Sequence, residues 1–374
     1  MSPASAISPG PPPKPREQKP AQRRPTKTIL IAIIALAILC VIVILLIRHW
    51  PFTQAAVLED LREAGDSQVQ VRAFHKTYFP PGCVLEGVVF DHGRDQSKPL
   101  INIDKVTIQG SYHGLFTNHV SRIIADGFRI QVPAFGTGTS LKTTESKITI
   151  GEIVANGATI EFAYQDPKIQ PLRFDIHQAS LENVGWSSPL TFRVRVHNPE
   201  PPGEVTAQGK FGVWNTHDPG ETPISGEYKF EQADLSVYEG IAGTLSSTGK
   251  FEGKLSHIDI SGATDVPDFE VKSGHHPVHL STNYSAYVDA THGDTFLKRV
   301  DADFWKTHIV ADGSIARSRN GKSKTAIINL RGQNARIEDL LLLFVQARRA
   351  PMSGHVTIQA QIEIPPGPEE FLKK

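Results

Sequence analysis

Cysteine is nearly absent from this chain of 374 residues: only Cys40 and Cys83 occur. Cys40 sits in a long apolar run, so no intramolecular disulfide can staple the part that folds outside it. No nucleophile motif surrounds Cys83, so a small buried or half-buried residue is the expected reading. The chain also lacks catalytic signatures. It has no His-Glu-x-x-His, no Gly-x-Ser-x-Gly and no Walker loop. Those absences remove the sequence grounds for a zinc protease, a serine hydrolase or a P-loop nucleotidase. We expect no enzymatic activity and no cofactor. Net charge is zero, with 39 basic and 39 acidic residues. Beyond Arg48 the balance falls to 32 basic against 38 acidic residues, which argues against a nucleic-acid partner.

What is present begins with an uncharged run, Ile29 to Ile47, of eight Ile, five Leu, two Val, three Ala and Cys40. As a helix, nineteen residues rise about 28 Å, close to the ~30 Å hydrocarbon core of a bilayer. Its Ile, Leu and Val residues, at about −0.4 kcal/mol each, favour insertion by roughly 6 kcal/mol. Residues 29–47 are therefore expected to be a transmembrane helix. Lys14, Arg16, Lys19, Arg23, Arg24 and Lys27 precede it, opposed only by Glu17, so the N-terminus should stay cytoplasmic. Trp50 and Phe52 suit the opposite headgroup zone. A cleaved signal peptide fits less well, because the core is long and runs into Arg48-His49-Trp50. A lipoprotein is rejected because Leu39, not a small residue, precedes Cys40.

Residues 1–28 are rich in Pro, Lys and Arg and carry no apolar pattern. They read as a disordered cytoplasmic arm. Residues 54–374 form the remaining region. It opens on a short amphipathic helix over 54–64, closed by Gly65. The period then changes from 3.6 to 2. Phe128, Ile130 and Val132 alternate with polar residues, as do Phe192, Val194 and Val196. Val278, Leu280, Thr282, Tyr284, Ala286 and Val288 follow, then Phe296, Val300, Ala302 and Phe304. Val356, Ile358, Ala360, Ile362 and Ile364 form the last run. Such alternation marks antiparallel sheets with one apolar face. The pattern predicts an amphipathic helix over 337–348, a helical turn over 114–120 and a hairpin loop from Ala134 to Lys147. Gly209-Lys210-Phe211 and Gly249-Lys250-Phe251 hint at a repeated unit. The sheet edge after Ile364 has nothing to close it, which leads us to expect a longer gene product.

Three histidines, His275, His276 and His279, lie near Asp268 and Glu270. A polar turn is the heavier reading than a metal site. Asp289, His292 and Asp294 read as turn residues around Gly293. Asn283-Tyr284-Ser285 is a glycosylation sequon placed inside a strand.

The order of features resembles the AsmA-like family of bacterial envelope proteins, which includes AsmA and TamB. The resemblance rests on the N-terminal anchor, the short helix, and strands such as Val69-Gln70-Val71 and Leu100 to Ile108. It continues through Gly127-Phe128-Arg129-Ile130-Gln131-Val132-Pro133. Its strongest stretch runs from Tyr238-Glu239-Gly240-Ile241-Ala242-Gly243-Thr244-Leu245 through Gly249-Lys250-Phe251-Glu252-Gly253 to Val266-Pro267-Asp268-Phe269. It implies an elongated, curved antiparallel β-sheet forming a groove in the periplasm, below an inner-membrane anchor. It also implies a part in outer-membrane biogenesis, with phospholipid carried along the groove. The family has no catalytic residues to carry over, and its lipid bridges are usually longer than this chain.

The expected fold is thus mainly β, with a single N-terminal transmembrane helix and a few short amphipathic helices. The expected function is binding or conducting phospholipid, with membrane lipids and other envelope proteins as partners. Val278, Leu280, Tyr284, Val288, Phe296, Val300 and Phe304 are the candidates to line the groove. The rival reading is a non-enzymatic periplasmic scaffold with a closed apolar core. Alternation alone does not separate a trough from a closed sandwich.

Overall fold

The structure is a computed structural model that describes residues 50, 52–65, 67–91, 100–117, 119–132, 148–162, 172–185, 187–215, 218–238, 240–317 and 324–364. The basic arm of residues 1–28 and the apolar run Ile29 to Ile47 lie outside the described residues. Among those described, no helix is long and apolar enough to cross a membrane. The chain divides into two units, Met1–Pro51 and Phe52–Lys374. All elements below belong to the second.

In chain order they are α1 (Gln54–Gly65), β1 (Gln68–Tyr78), β2 (Pro81–Asp91), β3 (Leu100–Gly110), the single turn α2 (Gly114–Thr117), β4 (His119–Val132) and β5 (Thr149–Phe162). Next come β6 (Leu172–Val184), β7 (Leu190–Pro199), β8 (Pro202–Phe211), β9 (Pro223–Asp234), β10 (Ile241–Ala242), β11 (Thr244–Lys254), β12 (His257–Val271) and β13 (Val278–Asp289). The last are β14 (Asp294–Phe304), β15 (Thr307–Arg317), β16 (Lys324–Arg336), α3 (Ile337–Phe344) and β17 (His355–Ile364).

The strands form one 17-stranded sheet. Strands β1 to β9 pair with their sequence neighbours. Strand β9 then pairs with β11, and β11 to β17 continue the order. The two-residue β10 pairs with β12. Among the described residues the outermost strands β1 and β17 do not pair with each other, so the sheet described is open. All pairs are antiparallel except β4–β5, which run parallel from His119↔Thr149 to Val132↔Phe162. The hairpin loop expected from Ala134 to Lys147 lies outside the described residues.

Directly opposed residues share a face of the sheet. Following the registers gives one apolar face from end to end. Val71, Val88, Ile103 and Phe128 lie on it. Across the middle it carries Phe174 and Ile160, and Val194 and Ala207. At the far side come Ile309 and Ala302, then Ile328 and Ile362. The opposite face carries ion pairs such as Arg122–Glu152 at 3.0 Å, Arg129–Asp104 at 3.2 Å and Arg331–Asp312 at 2.7 Å. Each is solvent-exposed and contributes between nothing and about 1 kcal/mol. Their larger effect is to make a one-residue register slip costly, since a slip would turn every charge toward the apolar side.

Short elements cover parts of the apolar face. Phe52, just before α1, packs beside Gly110, where an added Cβ would lie 2.9 Å from its ring. Phe52 and Val57 are buried, and so are Val69, Leu85 and Val88. Cys83, on the same face, has no exposed surface, and burial pushes its thiol up to about 12. That thiol is protonated and unreactive at neutral pH.

At the other side of the sheet, α3 lays Leu343 and Leu340 onto Val278, Phe304 and Ile309. This helix is shorter than the sequence pattern predicts. It ends at Phe344, and Val345 adopts an extended backbone, donating its N–H to Leu341 O at 2.7 Å. Arg348 and Arg349 fall beyond it. Leu343 faces the sheet, while the adjacent Phe344 is 56% exposed. The reason is Asp339. Its buried carboxylate accepts hydrogen bonds from Thr307 Oγ1 at 2.8 Å and from the Lys306 N–H at 3.1 Å. Those bonds clamp α3 to the β14–β15 hairpin and set the rotation of the helix.

Candidate functional site

The candidate site is the apolar face over β7 to β15. Of the seven residues expected to line a groove, six share it. Val278, Leu280, Tyr284 and Val288 alternate along β13. Phe304 opposes Leu280 and Val300 opposes Tyr284 across β14. Phe296 does not join them. Strand β14 carries one extra residue at Lys298, because Ser285 opposes Arg299 while Ala286 opposes Leu297. The bulge reverses the alternation. Leu297 turns to the apolar face, and Phe296 turns to the polar one, opposite Tyr287. There the rings of Phe296 and Tyr287 stack with centroids 4.5 Å apart, and Tyr287 stacks on His257 at 4.4 Å.

The six that share the face are not equivalent. Val278 and Phe304 are 3% and 6% exposed beneath Leu343, so they belong to the core under α3. Leu280 links that cluster to a second one formed by Leu235, Tyr238 and Val266. Tyr284, Val288 and Val300 lie farther from α3 along the strands and are half-buried.

Glycines shape the middle of this face, and their role was not read from the sequence. Phe192, Gly209, Gly226 and Phe251 oppose one another in a row across β7, β8, β9 and β11. Tyr228, Gly249, Gly262 and Tyr284 form a second row across β9, β11, β12 and β13. In each row two glycines stand between two aromatic residues. The rings lean inward over them. Phe192 and Phe251, separated by two strands, bring their ring centroids to 6.4 Å. A Cβ on Gly226 would lie 2.6 Å from Phe251 Cζ, and one on Gly262 would lie 2.6 Å from Tyr284 Oη. A Cβ on Gly209 would lie 2.7 Å from Gly226 Cα, so these two backbones approach in a way only glycine permits. The repeated Gly-Lys-Phe was the available signal: Gly209 and Gly249 are the glycines that begin it.

Hydroxyl groups interrupt the apolar surface beside the second row. Ser247 Oγ donates to Ala263 O at 3.1 Å and lies 3.3 Å from Tyr284 Oη. Thr264 and Thr282 hydroxyls bond to each other across β12 and β13. These polar atoms are therefore satisfied by one another.

The polar face has its own concavity, about 980 Å³, lined by Glu182, Arg193, Arg195, Gln208, Lys229 and Lys250 among others. Near it Glu204 accepts from His197 at 3.1 Å and His177 at 3.2 Å. Partial desolvation raises the Glu204 carboxyl, but hydrogen bonds from His197 and His177 outweigh it and hold it below the usual range.

The clustered histidines separate. His275 reaches Glu270 at 3.2 Å, His276 reaches the Ala347 carbonyl at 2.7 Å, and His279 pairs with Asp265. Among the described residues no group of His, Cys, Asp and Glu could hold a metal ion. Asp289 and His292 build the turn before β14: Asp289 accepts from the Thr291 N–H at 2.9 Å and contacts His292 Nδ1 at 2.9 Å, and Gly293 has φ +70.

Comparison with known proteins brings no family to this chain: no protein-family model matches it, and no significant match is found among curated proteins or solved structures.

Proposed function

We propose that this protein is a membrane-anchored binder of lipid acyl chains, using the apolar face of its open sheet as the binding surface. The observation that carries the reading is the continuity of that face. Apolar side chains follow the register from β1 to β17 in a single sheet, and among the described residues only short helices and turns lie over it. A soluble monomer rarely leaves an apolar patch of more than a few hundred Å² without a partner. Acyl chains suit such a lining, because they need burial but no hydrogen bonds.

The glycine rows let neighbouring strands approach closely beneath the aromatic rings of that face, because the missing Cβ atoms of Gly209 and Gly226 would meet the next strand. Sixteen strands side by side at about 4.8 Å give a path of roughly 75 Å across the strands. The apolar run Ile29 to Ile47 supports an inner-membrane anchor ahead of the sheet, with the N-terminus cytoplasmic and the sheet periplasmic. Phospholipid is the substrate class that such a bilayer supplies.

The test is site-specific photocrosslinking of the full chain in membranes. A photoreactive residue at Val300 should capture phospholipid. The same residue at Phe296, one bulge away on the opposite face, should not. Equal capture at both positions, or none at Val300, would sink the reading.

A further inference from the structure

We propose that the end of the sheet carrying the β14–β15 turn and the α3–β17 connection docks on the surface of an anionic bilayer. Strand β14 ends at Phe304, β16 ends at Arg336 and β17 begins at His355. Antiparallel pairing therefore brings the turn residues Trp305 and Lys306, helix α3 and the connection from Val345 to Gly354 to one end of the sheet. The Lys306 N–H donates to Asp339 at 3.1 Å, which holds the turn against α3. This end exposes large apolar side chains: Trp305 is 44%, Phe344 56%, Val345 43% and Met352 61% exposed. Trp305 also has φ +47, a left-handed backbone that bulky residues rarely adopt. The turn thus holds out an indole ring at a position where glycine would sit without strain.

The connection is held in place. The Ile337 N–H donates to Gly354 O at 3.0 Å, the Val345 N–H donates to Leu341 O at 2.7 Å, and His276 Nε2 lies 2.7 Å from the Ala347 carbonyl. It also carries charge of one sign. From Phe344 to Gly354 the sequence holds Arg348 and Arg349 and no Asp or Glu. Lys306 adds a third exposed cation, and among the described residues none of the three has an ion-pair partner. The carboxylates of α3 are engaged elsewhere: Glu338 pairs with Arg336 at 3.6 Å, and Asp339 accepts from Thr307 Oγ1 at 2.8 Å. Exposed Trp, Phe and Met beside unpaired Lys and Arg match the headgroup zone of a bilayer, where rings sit at headgroup level and cations meet lipid phosphates. The apolar side chains stand out singly from a turn, a helix end and a connection, so a fluid surface receives them without a shape-matched pocket. The proposal rests on neither the N-terminal anchor nor lipid binding along the apolar face.

A fluorophore attached to single cysteines of the full chain tests it. Cys40 is replaced by Ala, and the buried, protonated Cys83 is retained. Labels are placed at Met352→Cys and, as the control, at Ser188→Cys, an exposed position between β6 and β7 at the opposite end of the strands. The labelled chain is mixed with vesicles of phosphatidylcholine containing phosphatidylglycerol, with and without brominated acyl chains. The Met352→Cys label should shift to the blue and be quenched by bromine, and the Ser188→Cys label should not. Each Arg near an anionic surface is worth about fivefold, so Arg348→Gln with Arg349→Gln should lower the docked-to-free ratio about 25-fold. High salt, or omission of phosphatidylglycerol, should act in the same direction, whereas lipid held along the apolar face would not respond to either. Trp305→Gly should weaken docking with the circular dichroism unchanged. The proposal is overturned if bromine leaves the Met352→Cys label unquenched, quenches both labels equally, or quenches undiminished in the double Arg variant. A soluble acidic protein that shifts the Met352→Cys label where brominated vesicles do not would assign this end to a protein partner and overturn it equally.

Discussion

Phe296 stacks on Tyr287 with ring centroids 4.5 Å apart and planes 11° from parallel, on the polar side of the sheet. One inserted residue, Lys298, puts it there. Lys298 Nζ also lies 5.5 Å from the Tyr287 ring centre, so the bulge joins a small aromatic stack of its own with His257.

Truncating this ring should therefore cost stability and leave lipid content alone. Phe296→Ala removes one stacked partner, worth about 0.5–1.5 kcal/mol beyond its buried area. Urea denaturation should show a lower midpoint, while lipid extracted from the purified chain stays at the level of the parent. A loss of bound lipid with unchanged stability would place Phe296 on the binding path after all.

Asp339 is the second sensitive position. Its carboxylate is 6% exposed and accepts two hydrogen bonds from the β14–β15 turn. Asp339→Ala leaves the Thr307 hydroxyl and the Lys306 N–H without their acceptor, at about 2–4 kcal/mol. Hydrogen exchange should quicken in Trp305–Thr307 and in α3 before it quickens in β7 or β8. Uniform loss of protection would mean that α3 does not depend on this clamp.

Gly226→Ala tests the glycine rows. The new methyl would lie 2.4 Å from the Gln208 carbonyl as well as 2.6 Å from the Phe251 ring. Overpacking of this kind costs about 1–3 kcal/mol. Adding Phe251→Ala should not restore the melting temperature, because the backbone contact remains. Full rescue would show that ring crowding, and not close backbone approach, demands glycine.

Acid should act through Asp289. Partial burial raises its carboxyl, but hydrogen bonds from Thr291 and His292 outweigh this and bring it down to about 2. A carboxyl lower in the folded than in the unfolded chain stabilises above its unfolded value, near 4. That contribution fades as pH falls from about 4 to about 2. Asp289→Asn should thus lower the melting temperature at pH 7 and make little difference at pH 2. An equal deficit at both values would assign the loss to turn geometry and not to charge.

Much of the fold was legible from residues alone. Period-two alternation in Phe192, Val194 and Val196, or in Val356, Ile358 and Ala360, dictates a strand with one apolar side, because successive Cβ atoms point to opposite faces. The same logic placed Val278, Leu280, Tyr284 and Val288 together. It failed at Phe296 because alternation presumes an unbroken pleat, and a bulge is chosen by the partner strand. The helix over 337–348 was legible as a helix, but its end and rotation were not, since both answer to the buried bonds of Asp339. The parallel pairing of β4 and β5 lay beyond the pattern too, because nothing local in a strand records the direction of its neighbour.

The sequence by itself determined that this chain is mainly β, that its sheet has one apolar face, and that a nineteen-residue apolar run stands ahead of it. These follow from side-chain spacing, which is a local property. Only the tertiary structure decided that the described strands make one open sheet, that glycine pairs lie beneath aromatic rings, and that a bulge at Lys298 turns Phe296 to the polar face. Those depend on which backbones meet, and contacts between residues distant in the chain leave no periodic mark in the sequence.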